Sequence, residues 1–417
     1  MSTRGRSQYL ENPGIPFKRF QRYDGIGNLK PTLLMSLLKV AIYQPVIPAY
    51  RVPFFEALQA RDDLDIDVYA AWQVPGSPAT PRQDFAFRHH AVEFRGMFGD
   101  RVSRQSGYEI PAGFSSGDVM ILCGNPRYLS NYRLACQAKR QKIGIVWWGH
   151  GFSPGSRGGS LRIRQFIMKL ADVWLLYTDK EAEAYRKLGF PADRVFALNN
   201  TLNTAIIQKA VERWTATELE AFREKHGLGG CRVLLYCGRV TPKAELGVAL
   251  RALQGLRSKD PSYRLVVVGD GDARPGLEGL AQALGIGDAV HWVGSLYDEE
   301  ELAPWFLIAA LFVFPGAIGL SAIHAFSYGL PVLTHDREDL HGPEFAAIQD
   351  GRNGSLFVHG SDQSLADHID ACIKQESLLA TMKINAKNTV EGRYSFTHMV
   401  DQFVRAVRAA SDVVQCR

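Results

Sequence analysis

Short apolar runs alternate with helix-length segments twice along this chain, and that alternation leaves few folds open. In the first series the runs are Val40–Gln44, Asp65–Ala71, Asp118–Cys123, Ile143–Trp148, Val173–Tyr177 and Val195–Leu198. In the second they are Arg232–Tyr236, Arg264–Val268, Val290–Val293, Leu311–Phe314 and Pro331–Thr334. Runs this short and this continuous suit strands buried on both faces of a parallel sheet. Helix-forming segments lie between them, as at Tyr128–Arg140, Glu181–Leu188 and Leu246–Arg257. The pattern predicts an α/β fold in which a doubly wound sheet is built, and then built again. Ligands of such sheets sit beyond the carboxyl ends of the strands. The loops 44–51, 149–160, 238–243, 269–273 and 315–321 leave such ends and are expected to line a cleft between the two sheets.

Composition narrows the class. An apolar fraction of 46% with 22% charged residues is ordinary for a soluble globular protein. The net charge of +5 is too mild to argue for nucleic acid, but it suits an anionic substrate or a membrane surface. The six cysteines form no CxxC pair, which points to reduced thiols and a cytoplasmic protein. No metal-ligand spacing occurs among Cys and His. The apolar run Leu302–Leu320 is long enough to span a bilayer. Pro304, Pro315, Gly316 and Gly319 divide it, so it reads as a helix followed by a strand. Residues 1–38 are polar and arginine-rich, without the apolar core of a signal peptide. They are expected to be a disordered tail or an over-extended start, with Met35 as the alternative initiator.

The chemistry concentrates in Phe312–Asp336. A strand leads into the turn Pro315–Gly319, then a helix over Leu320–Tyr328 that stops at Gly329. A glycine turn that opens a helix presents unpaired N–H groups to an anion. Gly316, Gly319, Leu320 and Ser321 are therefore phosphate-site candidates. Gly238 and Arg239 follow a strand in the same way, with Lys243 close behind. The planar fork of an arginine can meet two phosphate oxygens. Gly269 and Gly271 allow close backbone approach. The run Asp336-Arg337-Glu338-Asp339 invites a metal, but basic groups already face the phosphate, and a solvated loop fits better.

Taken in order, several motifs resemble a known family. They are Gly238-Arg239 with Lys243, Val-Val-Gly-Asp-Gly at 267–271, Trp-Val-Gly at 292–294, Phe-Val-Phe-Pro at 312–315 and Gly-Leu-Ser-Ala-Ile-His-Ala-Phe at 319–326. Gly-Leu-Pro-Val at 329–332, Pro-Glu at 343–344 and Asp-Gly-Arg-Asn-Gly at 350–354 complete the set. In this order and spacing they resemble the GT4-type retaining glycosyltransferases of GT-B fold, closely over residues 232–357 and loosely over 39–205. Typical members carry two glutamates seven residues apart, which bind donor-sugar hydroxyls and the nucleotide ribose. Ala317 and His324 stand at those positions here. The same variant pattern, with Trp-Gly-His-Gly at 148–151 and Thr-His-Asp at 334–336, resembles a subgroup from polysaccharide-assembly loci.

The resemblance implies two Rossmann-like doubly wound domains facing a central cleft. Residues 39–205 would bind the acceptor, 206–230 would link, and 231–392 would bind a nucleotide-diphospho-sugar. Residues 393–417 would form a closing helix that crosses back to the first domain. Arg239 and Lys243 would stabilise the departing diphosphate, and His150 would hydrogen-bond a sugar hydroxyl or the acceptor. His324 would take the ribose, and Glu344 would fill the gap that Ala317 leaves. The donor would be the only small molecule required, with no cofactor and no metal. The acceptor would be a glycan or lipid-linked glycan. A basic amphipathic segment with Arg157, Arg162, Arg164 and Lys169 could rest peripherally on the anionic inner face of the cytoplasmic membrane. Two other readings stay open: a nucleotide-sugar epimerase or hydrolase of the same fold, and a non-catalytic partner subunit.

Overall fold

The computed structural model describes residues 37–74, 79–97, 102–151 and 168–417. Residues Leu37–Arg417 form one compact unit. Residues 1–36 of the expected tail and Arg157, Arg162 and Arg164 of the basic segment lie outside the described residues, while Leu38, expected in the tail, opens the first strand.

Two parallel sheets organise this unit. The first contains β1 (Leu38–Tyr43), β2 (Leu64–Ala70), β3 (Arg88–Ala91), β6 (Val119–Cys123), β7 (Gly144–Gly149), β8 (Val173–Leu176) and β9 (Val195–Ala197). Its order is β3-β2-β1-β6-β7-β8-β9. The second contains β10 (Arg232–Cys237), β11 (Tyr263–Val268), β12 (Val290–Gly294), β13 (Leu311–Val313), β14 (Val332–His335) and β15 (Gly354–Phe357), in the order β12-β11-β10-β13-β14-β15. A separate antiparallel pair, β4 (Glu93–Met97) and β5 (Val102–Ser106), stands beside the first sheet.

Both orders reverse direction once, between β1 and β6 and between β10 and β13. Loops leaving two neighbouring strands diverge at such a point and open a crevice, the usual ligand position in open α/β sheets. The central strands are apolar on both faces because helices cover each side. Val40, Ile42, Val119 and Ile121 are fully buried in the first sheet, as are Leu235, Val266, Leu311 and Phe312 in the second, to within 1%.

The last helix, Phe396–Gln415, belongs to the core of the first sheet. Ser395 caps it by accepting from His398 N, and Met399, Phe403, Val407 and Ala410 line its buried stripe. The Phe403 ring meets Phe54 and Trp148 with centroids 5.4 and 5.7 Å apart. Gly144 of β7 lets the helix backbone in, since a Cβ there would lie 2.7 Å from Ala410 O.

The structure adds detail in two regions. Strands β3 to β5 had no sequence signature, because Arg-His-His-Ala, Glu-Phe-Arg-Gly-Met and Val-Ser-Arg-Gln-Ser are largely solvent-facing and lack an apolar alternation. The expected linker holds two helices, Thr204–Glu212 and Ala216–Lys225, and Phe222 packs on Trp305 at 4.8 Å between ring centroids. Among the described residues no helix is long and apolar enough to cross a membrane. The run 302–320 is divided as expected, into the helix Glu299–Ile308 and β13.

Candidate active site

Three loops meet at the switch point of the second sheet. The loop after β10 carries Gly238, Arg239 and Lys243, the loop after β11 carries Gly269 and Gly271, and the loop after β13 carries Gly316 to Ser321. Their glycines let backbone pack on backbone. A Cβ on Gly269 would collide with the Gly238 carbonyl oxygen, one on Gly271 with that of Val240, and one on Gly316 with that of Lys243. Gly269 also has φ +131°, a conformation that L side chains rarely adopt. Tyr236 OH donates to Arg239 O at 2.9 Å, and Ala317 N donates to Lys243 O at 3.3 Å. The cationic loop is thus fastened to the turn that opens the helix Leu320–Ser327.

Arg239 and Lys243 are exposed and form no side-chain hydrogen bond or ion pair with any described residue. No side chain caps the helix at Gly319. The first N–H groups of that helix, together with the Ser321 hydroxyl, are therefore left for an external acceptor. Two unpaired cations beside an uncapped helix start make a local excess of positive charge.

His324, one turn further on, is already engaged. Its Nε2 lies 3.1 Å from Glu299 Oε2, and Tyr328 OH donates to the same oxygen at 2.6 Å. Phe306 covers the imidazole with centroids 4.6 Å apart. Burial pushes the Glu299 carboxyl up, but His324 and Tyr328 outweigh that and hold it below the ordinary glutamate value. A carboxylate from the helix Glu299–Ile308 therefore stands next to the position where His324 occurs.

Glu344 is 5% exposed and bridges the two halves, with Asn200 Nδ2 donating to its Oε1 at 2.7 Å. Its Oε2 lies close to Gly319 and Gly342, 3.4 and 3.2 Å from where their Cβ atoms would be. Burial raises the Glu344 carboxyl, and Asn200, Arg51 and His150 offset part of that. His341 ties the same region together: Ile318 N donates to its Nδ1 at 3.1 Å, and its Nε2 donates to His335 O at 3.0 Å. His335 stacks on His341 at 3.9 Å, and burial first, then the neighbouring imidazoles, lower its pKa to about 4.

Across the cleft, Glu181 shapes the end of β7. It accepts from Gly151 N at 3.0 Å and from Tyr177 N at 3.2 Å, and its Oε1 lies 3.7 Å from His150 Nδ1. His150 is half-exposed and packs edge-on to Tyr177 at 4.7 Å. Behind it Arg51 is 7% exposed, with its guanidinium 4.6 Å from the Trp148 ring centroid. A cavity of about 520 Å³ opens between the halves, lined by His150, Thr178 and Glu181 on one side and His341, Gly342 and Phe345 on the other.

Of the sequence candidates, only His150 lines this cavity. Arg239, Lys243, Gly238, Gly269, Gly271, Gly316, Gly319, Leu320 and Ser321 cluster on the second sheet, and Glu344 reaches over to the first. Sequence reasoning missed Glu299, Asn200, Glu181, Arg51 and His341. One signal was available: the polar run Asn199-Asn200-Thr201 directly follows the apolar strand Val195–Leu198, and the structure leaves it at most 4% exposed. Among the described residues no group of three or more His, Cys, Asp or Glu has the placement to hold a metal ion.

Comparison with known proteins bears on the fold and on the second half of the chain. Residues 219–389 match the family of glycosyl transferases group 1. An alpha-D-kanosaminyltransferase from Streptomyces kanamyceticus is 25% identical over 59% of this chain and 62% of its own length. A D-inositol 3-phosphate glycosyltransferase from Streptomyces scabiei is 33% identical over 47% of this chain and 44% of its own. The chain spans about half the length of these curated relatives. The structure of HepE from Anabaena in complex with UDP has a TM-score of 0.62 to this chain at 15% identity, covering 88% of this chain and 98% of that one. The fold is GT-B: two parallel α/β sheets, of seven and six strands.

Proposed function

We propose that this protein is a retaining glycosyltransferase that moves a sugar from a nucleotide-diphospho-sugar to a glycan or lipid-linked glycan in surface-polysaccharide synthesis. The observation that carries this reading is the pair of unpaired cations, Arg239 and Lys243, fastened beside the uncapped start of the helix Leu320–Ser327 at a switch point. Cleaving a glycosyl–phosphate bond builds negative charge on the departing diphosphate. Fixed cations and backbone N–H groups placed there lower the barrier without having to reorganise. HepE was solved with UDP, so UDP-sugars are the first donors to try.

In this reading residues 231–392 hold the donor and 39–205 the acceptor. His150, steadied by Glu181, hydrogen-bonds a sugar hydroxyl or the incoming acceptor. Glu344 takes the place of the carboxylate missing at Ala317, and His324 meets the ribose with Glu299 behind it. No protein nucleophile is assigned, because the leaving diphosphate itself takes the acceptor proton. Ala317 and His324 at the usual glutamate positions support a variant subgroup without the paired glutamates.

The test is turnover of a panel of nucleotide-sugars. Arg239→Ala should lower kcat by about 10²–10³, the loss seen when one group stabilising a developing charge is removed, and leave the melting temperature unchanged. Nucleotide release that needs an acceptor separates transfer from hydrolysis and epimerisation. If no nucleotide-sugar is turned over and none raises the melting temperature, the reading fails and the partner-subunit alternative stands.

A further inference from the structure

A second positively charged site lies on the first half, away from the loops of the second sheet. Strands β4 and β5 pair so that Arg95 stands directly opposite Arg104. Directly opposed residues of an antiparallel pair share a face, and like charges placed there repel. Arg133, on the helix Ser130–Arg140, joins them around a cavity of about 840 Å³. Among the described residues no Asp or Glu lines that cavity. Arg104 makes no side-chain hydrogen bond or ion pair with any described residue, and Arg95 reaches only Glu93, at 3.5 Å. Arg133 is held in place, its Nη2 donating to Tyr108 O at 2.8 Å.

The rest of the cavity is built to last. Gln105 and Ser130 lock its floor: Gln105 N donates to Ser130 Oγ at 3.0 Å, which donates back to Gln105 O at 2.9 Å, and both residues are buried. Leu129 N donates to Ser103 O at 2.9 Å, tying the strand pair to the loop after β6, at the switch point of the first sheet. Met97 and Leu129, each 37% exposed, add apolar surface to the rim.

We propose that Arg95, Arg104 and Arg133 form a binding site for a phosphoryl group, carried either by a membrane headgroup or by a soluble phosphorylated molecule. Three arginines line one cavity, only Arg95 has a carboxylate partner, the exposed Glu93, and a phosphate oxygen cluster is what their planar forks fit. The anion removes the cross-strand repulsion, and the Met97 and Leu129 rim accepts an apolar or sugar substituent. The proposal stands independently of the donor reading.

The test uses the full chain with two probes: inorganic pyrophosphate by calorimetry, and phosphatidylglycerol–phosphatidylcholine vesicles by sedimentation. Arg104→Gln and Arg133→Gln should each weaken one or both by about tenfold or more. Arg104 has no partner to lose, so Arg104→Gln folds normally and keeps the test valid if Arg133→Gln does not. Arg239→Ala should leave this affinity intact and remove only any pyrophosphate bound at the donor loops. The two sites therefore fail separately. An effect confined to pyrophosphate identifies a soluble phosphorylated ligand, and one confined to vesicles identifies a headgroup. The proposal is overturned if neither probe responds to Arg104→Gln, or if Lys139→Gln, on the same helix but outside the cavity, weakens binding equally.

Discussion

The contact between Asn200 and Glu344 offers a quantitative test of how the halves hold each other. Asn200→Ala removes the 2.7 Å hydrogen bond and leaves a buried carboxyl without its donor. A hydrogen bond to a charged group is worth about 1.5–3 kcal/mol. Globular chains gain about 2.1 cal/mol/K of unfolding entropy per residue, so Leu37–Arg417 melting together would give about 0.8 kcal/mol per kelvin. Asn200→Ala should then lower Tm by about 2–4 °C at a pH above the folded pKa of Glu344, where the carboxyl is ionised. The pH dependence gives a second handle. Burial raises the folded pKa of Glu344, so its contribution to stability is fully present below the unfolded pKa of about 4.3 and is lost as pH rises through the folded value. Glu344→Gln removes that loss, and its Tm should gain on wild type as pH rises. The cost of Asn200→Ala should shrink at pH 4, where the carboxyl is neutral and the bond is worth about 1 kcal/mol. Differential scanning calorimetry of the two single variants and the double variant from pH 4 to 8 measures all of this. Additive effects in the double variant, or a cost for Asn200→Ala that does not change with pH, would refute the reasoning.

Other outcomes follow from geometry already described. Tyr328→Phe takes one donor from Glu299, whose folded pKa is depressed. That group's contribution is present above about pH 4.3 and lost as pH falls through the folded value, so the variant should melt lower than wild type at pH 7 and converge with it in acid. Gly269→Ala forces a methyl into the Gly238 carbonyl and should cost at least about 1–3 kcal/mol, read as a lower denaturant midpoint. Lys180→Ala breaks the pair with Glu338 across the cleft at 2.6 Å, but both groups are more than half exposed. It should change stability by less than about 1 kcal/mol, and by less again in high salt.

What the sequence revealed and what it hid follow from how each feature is encoded. Strands such as Tyr263–Val268 and Leu311–Val313 were readable because burial on both faces demands a continuous apolar run. The stop at Gly329 was readable because its φ of +68° favours glycine. The strand pair β4–β5 was not, since a solvent-facing ribbon needs no apolar period. Neither were the partners of the site residues. Glu299 lies 25 positions from His324, and Asn200 lies 144 from Glu344. Only the fold brings these pairs together, so although Glu344 stood in a readable Pro-Glu motif, neither its donor Asn200 nor the Glu299 partner of His324 could be read from the sequence alone.

The helix Phe396–Gln415 has a consequence for how the protein is made. Its side chains fill the core of the sheet that leaves the ribosome first. At about 5–20 residues per second, that sheet waits roughly 10–40 s between the emergence of β9 and that of its last core helix. During this interval the part of the Phe54 and Trp148 surface that Phe403 covers stays open. Chaperone demand during synthesis should therefore fall on the first half, even though the missing piece is encoded far downstream of it. A stop codon before Phe396 would damage the half that was translated longest ago.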